Sequence, residues 1–80
     1  MDRPALSQIR WRCRRGMLEL DVLLNRFLES GYQQLSDEEV AAFLLMLEQE
    51  DDLIWDWMLG KETPKEQRIA RIVDRIRPPR

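Results

Sequence analysis

The sequence predicts an all-α protein, a compact bundle of five short helices, and three observations carry that prediction. Apolar residues recur at three- and four-residue intervals in each periodic segment. The segments are punctuated by Gly, Pro and capping residues, and neither strand alternation nor a hairpin dipeptide appears. With 80 residues there is material for one domain and one core, and a chain of that size leaves no room for a deep substrate cleft. The expected unit is a single domain over 1–80, with a loose tail at about 77–80.

The first helix is expected to open near Pro4, to turn Leu6, Ile9 and Cys13 inward, and to end at Gly16, which can supply a left-handed residue. In the second, Leu20, Leu23, Leu24, Phe27 and Leu28 follow an i, i+3, i+4, i+7, i+8 template and Gly31 closes the segment. Leu18 and Val22 make its opposite side apolar as well, which predicts a central helix packed from both sides. The third has the clearest start: Ser36 as N-cap, Glu39 as its capping-box partner, and Leu35 against Val40 as a hydrophobic staple. From Val40 to Leu47 nearly every position is apolar, so this helix should be mostly enclosed.

Asp51 or Asp52 is expected to cap a fourth helix of about two turns, through Leu53, Ile54, Trp55, Trp57, Met58 and Leu59, with Gly60 as its stop. A helix that short needs neighbours to exist. Thr63, Pro64 and Glu66 read as a second capping box, and Ile69, Ile72, Val73 and Ile76 as the apolar stripe of the fifth helix before Pro78 and Pro79 break it. Connections of roughly two to six residues should make consecutive helices neighbours.

Composition argues against chemistry. There is no His, the commonest general base and metal ligand near neutral pH, and the single Cys13 can form neither an internal disulfide nor a thiolate cluster. No catalytic residue, metal ligand or bound cofactor is assigned. One unpartnered Cys, with no charged-then-apolar leader and no long apolar run, points to the cytoplasm and to no membrane insertion. The net charge is −2, yet Arg crowds positions 10 to 15 and the C-terminal end while acids crowd positions 37 to 39 and 48 to 56, so the surface should be electrically two-sided.

Several clusters invite a functional reading, each beside an ordinary one. On the first helix Trp11 and Arg15 face away from the inward stripe with Arg12 and Arg14 beside them, either a docking surface or a solvated basic face with Trp11 folded over the core rim. Arg15, Gly16 and Glu19 form Arg-Gly-Met-Leu-Glu at the junction of the first two helices. A positive φ at Gly16 would let the chain turn sharply and leave Arg15 and Glu19 close together on the surface, where they could offer a fork donor and an acceptor to a partner. As a bare pattern R-G-x-x-E is too short to carry a function. Cys13 reads as an inert core thiol despite its basic neighbours. Glu48, Glu50, Asp51, Asp52 and Asp56 match no EF-hand spacing, and capping and solvation account for them. Trp55 and Trp57 lie on opposite sides of a short helix, so one should be core and the other a lid or contact residue. Arg68, Arg71 and Arg75 line one side of the fifth helix and could follow a phosphate backbone, but the net charge is negative and no nucleic-acid signature is visible.

The segment W-R-C-R-R-G-M-L-E-L-D, Trp11 to Asp21, resembles the signature region of the SdhE family, called YgfY in bacteria and succinate dehydrogenase assembly factor 2 in mitochondria. Phe27, Leu35-Ser36-Asp37, Phe43, Leu47-Glu48 and the acidic stretch leading to Trp57 follow in the family's order, so the likeness spans roughly positions 9 to 59. It implies a five-helix bundle, and it implies that Arg15, Gly16 and Glu19 contact the flavoprotein subunit of succinate dehydrogenase, or of fumarate reductase in some bacteria. Trp11 and Asp21 are further docking candidates. FAD belongs to the client, whose own His bonds to the isoalloxazine ring; the factor need only prefer the competent client conformer, about 1.4 kcal/mol of preference shifting the population tenfold. The free factor is expected to be a monomer that does not bind nucleic acid. On this reading Arg15→Ala should reduce covalent flavin on the client and leave the factor's helical signal unchanged. The alternative is an antitoxin-like or nucleic-acid-binding regulatory protein, whose binding would weaken steeply with salt. The fifth helix and tail match the family loosely and receive no role.

Overall fold

A computed structural model describes residues 5–77, with residue 6 as backbone only. The expected opening turn at Pro4, the inward Leu6 side chain, the break at Pro78 and Pro79 and most of the expected tail lie outside the described residues. Five helices follow in order, α1 (Leu6–Arg12), α2 (Leu18–Ser30), α3 (Asp37–Leu47), α4 (Asp51–Leu59) and α5 (Gln67–Ile76), with a 3-10 turn at Tyr32–Gln34 between α2 and α3. The all-α fold is as predicted.

The capping box of α3 forms as the sequence requires. Ser36 Oγ accepts from the Glu39 N–H at 3.2 Å, and Glu39 Oε1 accepts from the Ser36 N–H at 2.9 Å. Leu35 and Val40 are both buried beside it. Glu39 also takes Arg75 of α5 at 2.5 Å, so one carboxylate ties the start of α3 to the last turn of α5. The Ser36 backbone bond, followed by Arg75, holds the Glu39 carboxyl below its ordinary value of 4.5. A depressed folded value means the carboxylate contributes stability above the unfolded value, and that contribution is lost as pH falls through the folded one. Glu39→Gln should therefore flatten the acid side of the profile of thermal midpoint against pH below about pH 5, relative to the native chain.

The core gathers around α3. Phe43 is fully buried between Phe27 and Tyr32, with ring centroids 5.6 and 6.0 Å away in tilted contacts. Ile69, Ile72, Val73 and Ile76 of α5 are buried as their spacing predicts. The closest helix pair is α3 with α5, although α4 intervenes in the chain, so loop length alone does not set the neighbours. Gly31 ends α2 at φ −128°, outside the left-handed region, and its bareness has a steric cause instead. A Cβ there would lie 2.6 Å from Phe27 Cε1. Gly31→Ala must displace a core ring and should cost about 1–3 kcal/mol, read from urea denaturation.

Four sequence expectations are corrected. First, α1 stops at Arg12, well before Gly16, with Cys13 as a right-handed C-cap. Among the described residues only Gly60 has a positive φ, 79°, so Gly16 is no left-handed hinge. Second, α2 is not packed on both sides: Leu18 is 69% and Val22 54% exposed. Third, the N-cap of α4 is Glu50, with no side-chain cap bond, because Asp51 is its first helical residue and is engaged elsewhere. Fourth, the Thr63–Pro64–Glu66 box does not form. The Glu66 carboxylate is taken by Arg68, Nε donating at 2.9 Å, and α5 starts only at Gln67 with Glu66 as its N-cap.

The stop of α4 is as read. Gly60 in the left-handed region lets the Lys61 N–H reach Asp56 O at 2.9 Å and the Gly60 N–H reach Trp57 O at 3.1 Å, which satisfies carbonyls the helix leaves free. Trp57 is buried, the expected core member of the pair, and Trp55 is half-buried and packs against the same core.

Candidate functional site: the junction between α1 and α2

Five residues, Cys13 to Met17, join α1 to α2. Cys13 continues the inward stripe of Ile9 and is fully buried. Burial pushes its thiol up to about 11, a larger effect than the opposing pull of Arg15, so the basic neighbourhood does not make it a nucleophile.

Arg15 does not point out beside Glu19. Its side chain is 13% exposed and runs across the molecule to the corner between α3 and α4. There Nη2 donates to Leu47 O, and Nη1 donates to Gln49 O at 3.4 Å and to Asp51 Oδ1 at 3.2 Å. Leu47 ends α3, where carbonyls lack intrahelical partners and the helix dipole presents negative charge. Asp51 begins α4, where the dipole favours an anion. One guanidinium thus answers the negative C-terminal end of α3 and pairs with the carboxylate that opens α4. Its Nε is buried with no hydrogen-bond partner among the described residues, which offsets part of the gain.

Beside Arg15 the exposure of the junction varies. Gly16 is exposed, and a Cβ there would lie 3.9 Å from Asp51 Oδ2, an ordinary contact. Neither φ nor packing within the described residues requires glycine. Gly16→Ala should leave stability in urea within about 0.5 kcal/mol or raise it slightly by restricting the unfolded chain. Glu19 is exposed and makes no hydrogen bond or ion pair among the described residues. Asp21 is half-buried and holds Asn25, whose Nδ2 donates to its carbonyl at 2.8 Å and its Oδ1 at 2.9 Å.

Large apolar side chains flank the same junction. Trp11 is 72% exposed with the Arg14 guanidinium 5.6 Å from its ring centroid, and it lines an open groove of about 570 Å³ with Ser7, Gln8, Ile9 and Arg12. Leu18 and Val22 lie one turn apart and share one side of α2. Of the four exposed large hydrophobics among the described residues, three fall between positions 11 and 22; Leu59 is the fourth.

The other candidate clusters form no assembled site among the described residues. Among the described residues no three His, Cys, Asp or Glu side chains gather as a metal centre would need. On α5, Arg68 pairs with Glu66 and Arg75 with Glu39, so two of the three guanidinium groups in the basic row are already answered. No helix among the described residues is long and apolar enough to cross a membrane. Sequence reasoning missed the buried Tyr32, and it missed Asp51, Leu47 and Gln49 as partners of Arg15. Separations of 32 to 36 residues leave no periodic signal to find them by.

Fold and junction together define a small helical-bundle protein whose distinctive feature is an exposed, internally braced surface. The chain belongs to the family described as flavinator of succinate dehydrogenase, whose model matches residues 7–79. It is 46% identical over 77 residues to the FAD assembly factor SdhE of Coxiella burnetii, a match covering 95% of this chain and 94% of that protein. It is 43% identical over 77 residues to the protein of the same name from Shewanella oneidensis, covering 96% and 94%. To that of Xylella fastidiosa strain 9a5c it is 44% identical over 78 residues, covering 96% and 80%. The resemblance drawn from Trp11 to Asp21 therefore extends over nearly the whole chain, including the fifth helix.

Proposed function

We propose that this chain is a non-catalytic cytoplasmic assembly factor, monomeric when free, that binds the flavoprotein subunit of succinate dehydrogenase, and of fumarate reductase where present, and promotes covalent FAD attachment to it. The observation that carries the reading is the α1–α2 junction, where Trp11, Leu18, Glu19 and Val22 are all exposed above an Arg15 that is anchored internally. Family membership and the shared name of the relatives support it.

Each side chain then has a physical part. Trp11, Leu18 and Val22 supply apolar area, roughly 1.5–3 kcal/mol for each large side chain fully withdrawn from water, against the cost of association. Glu19 offers a free carboxylate to a basic group of the client. Gly16 lets a partner backbone come close where any side chain would intervene, and Asp21 borders this face. Arg15 acts as the brace that holds the junction in place. FAD attachment belongs to the client. By binding the attachment-competent conformer more tightly, the factor raises its population, tenfold for about 1.4 kcal/mol of preference.

The test is to purify the flavoprotein subunit from cells with and without this chain and to read flavin fluorescence on the denatured client band. Covalent flavin should fall severalfold without the factor and return with it. Equal fluorescence in both samples would reject the proposal.

A further inference from the structure

We infer that Asp51 is a positioning residue for docking: with Arg15 it forms a clamp that fixes the junction on which Gly16 and Glu19 are presented. The inference rests on the docking role proposed above and assigns that surface its internal support.

The junction needs such support because its backbone has little of its own. The Cys13 N–H reaches Ile9 O and Arg10 O, and the Arg14 N–H reaches Trp11 O. Among the described residues the N–H groups of Arg15, Gly16 and Met17 make no backbone hydrogen bond. Cys13 is buried and Met17 packs against the core at its two ends, and between them the Arg15 side chain ties the stretch down, with acceptors on the α3–α4 corner. Two of those acceptors are backbone carbonyls that no substitution removes. Among the described residues Asp51 is the only side chain that accepts from Arg15 and the only charge paired with it, so the strength of the brace depends on it. The same carboxylate borders Gly16: Oδ1 accepts from Arg15, and Oδ2 lies 3.9 Å from where a Gly16 Cβ would stand.

The neighbouring Asp52 provides the control. It lies in the same first turn of α4, carries the same charge and is exposed, and among the described residues it makes no hydrogen bond or ion pair with Arg15. Asp51→Asn and Asp52→Asn remove the same charge from the same helix end, and only the first touches the clamp.

Covalent flavin on the client would be titrated against added factor, well below each variant's melting temperature. Asp51→Asn should raise the half-saturating concentration about threefold to tenfold with an unchanged plateau, and Asp52→Asn should stay near the native curve. In Arg15→Gln, which removes the cation, adding Asp51→Asn should cause little further change, because the two residues act as one unit. Independently of any client, ¹⁵N relaxation should report a more mobile Gly16 amide in Asp51→Asn and not in Asp52→Asn. If Asp51→Asn titrates like Asp52→Asn, or if Gly16 is no more mobile, the positioning role is overturned. A retained defect in Glu19→Arg would then leave the docking reading standing. If Glu19→Arg also titrates like the native chain, the docking reading fails and the inference falls with it.

Discussion

Arg15→Ala should lower the thermal midpoint by roughly 10–20 °C, through a loss of about 2–3 kcal/mol. The substitution removes three hydrogen bonds and leaves the Leu47 and Gln49 carbonyls and the Asp51 carboxylate without their cation at two helix ends. Removing one partner of a fully buried pair costs about 3–5 kcal/mol, and the partial exposure of Arg15 and Asp51 brings the figure down. A domain of this size has only about 4–12 kcal/mol in total, so the loss is a large share. The expectation drawn from the motif, that Arg15→Ala spares the fold, is therefore revised: less covalent flavin in this variant would mix lost docking with lost structure. Thermal melts followed by circular dichroism decide the matter, and a midpoint within about 3 °C of the native chain would refute the brace.

Glu19→Arg should do the reverse. The carboxylate is exposed and makes no hydrogen bond or ion pair among the described residues, so the melting temperature should move little. Toward a client it replaces attraction with like-charge repulsion, and truncating one member of a desolvated charge pair commonly costs about 2–5 kcal/mol. Covalent flavin at limiting factor should fall by about three-hundredfold at the midpoint of that range. It should recover in part when a basic residue on the client is changed to an acid. A native flavin yield with Glu19→Arg would remove Glu19 from the interface. The pair of results is diagnostic because stability and docking separate: Arg15 moves the first strongly, Glu19 only the second.

The candidate site was half legible in the sequence. The motif placed Arg15, Gly16 and Glu19 at a helix junction, and the structure keeps them there. The idea that Arg15 and Glu19 stand together in solvent came from treating a short motif as a local unit. A long guanidinium stem can reach the orphan carbonyls of a distant helix end instead, and three acceptors outweigh one exposed ion pair, which contributes about 0–1 kcal/mol. Leu18 and Val22 misled for a related reason. Hydrophobic spacing says which face of a helix would gain from burial, and it cannot say whether anything in the same chain arrives to cover it.

By itself the sequence determined the all-α class, the apolar stripes of α2, α3 and α5, the capping box at Ser36 and Glu39, and the glycine stop at Gly60. These depend on residues three to five positions apart, and such separations are written directly into the order of the chain. Only the tertiary structure decided that α3 lies against α5, that Arg15 braces the α3–α4 corner through Asp51, and that Trp11, Leu18 and Val22 remain open to solvent. Those outcomes depend on which distant segments meet when the core closes around Phe43. Local propensity does not encode that choice; the competition among all the apolar faces for the same limited interior makes it.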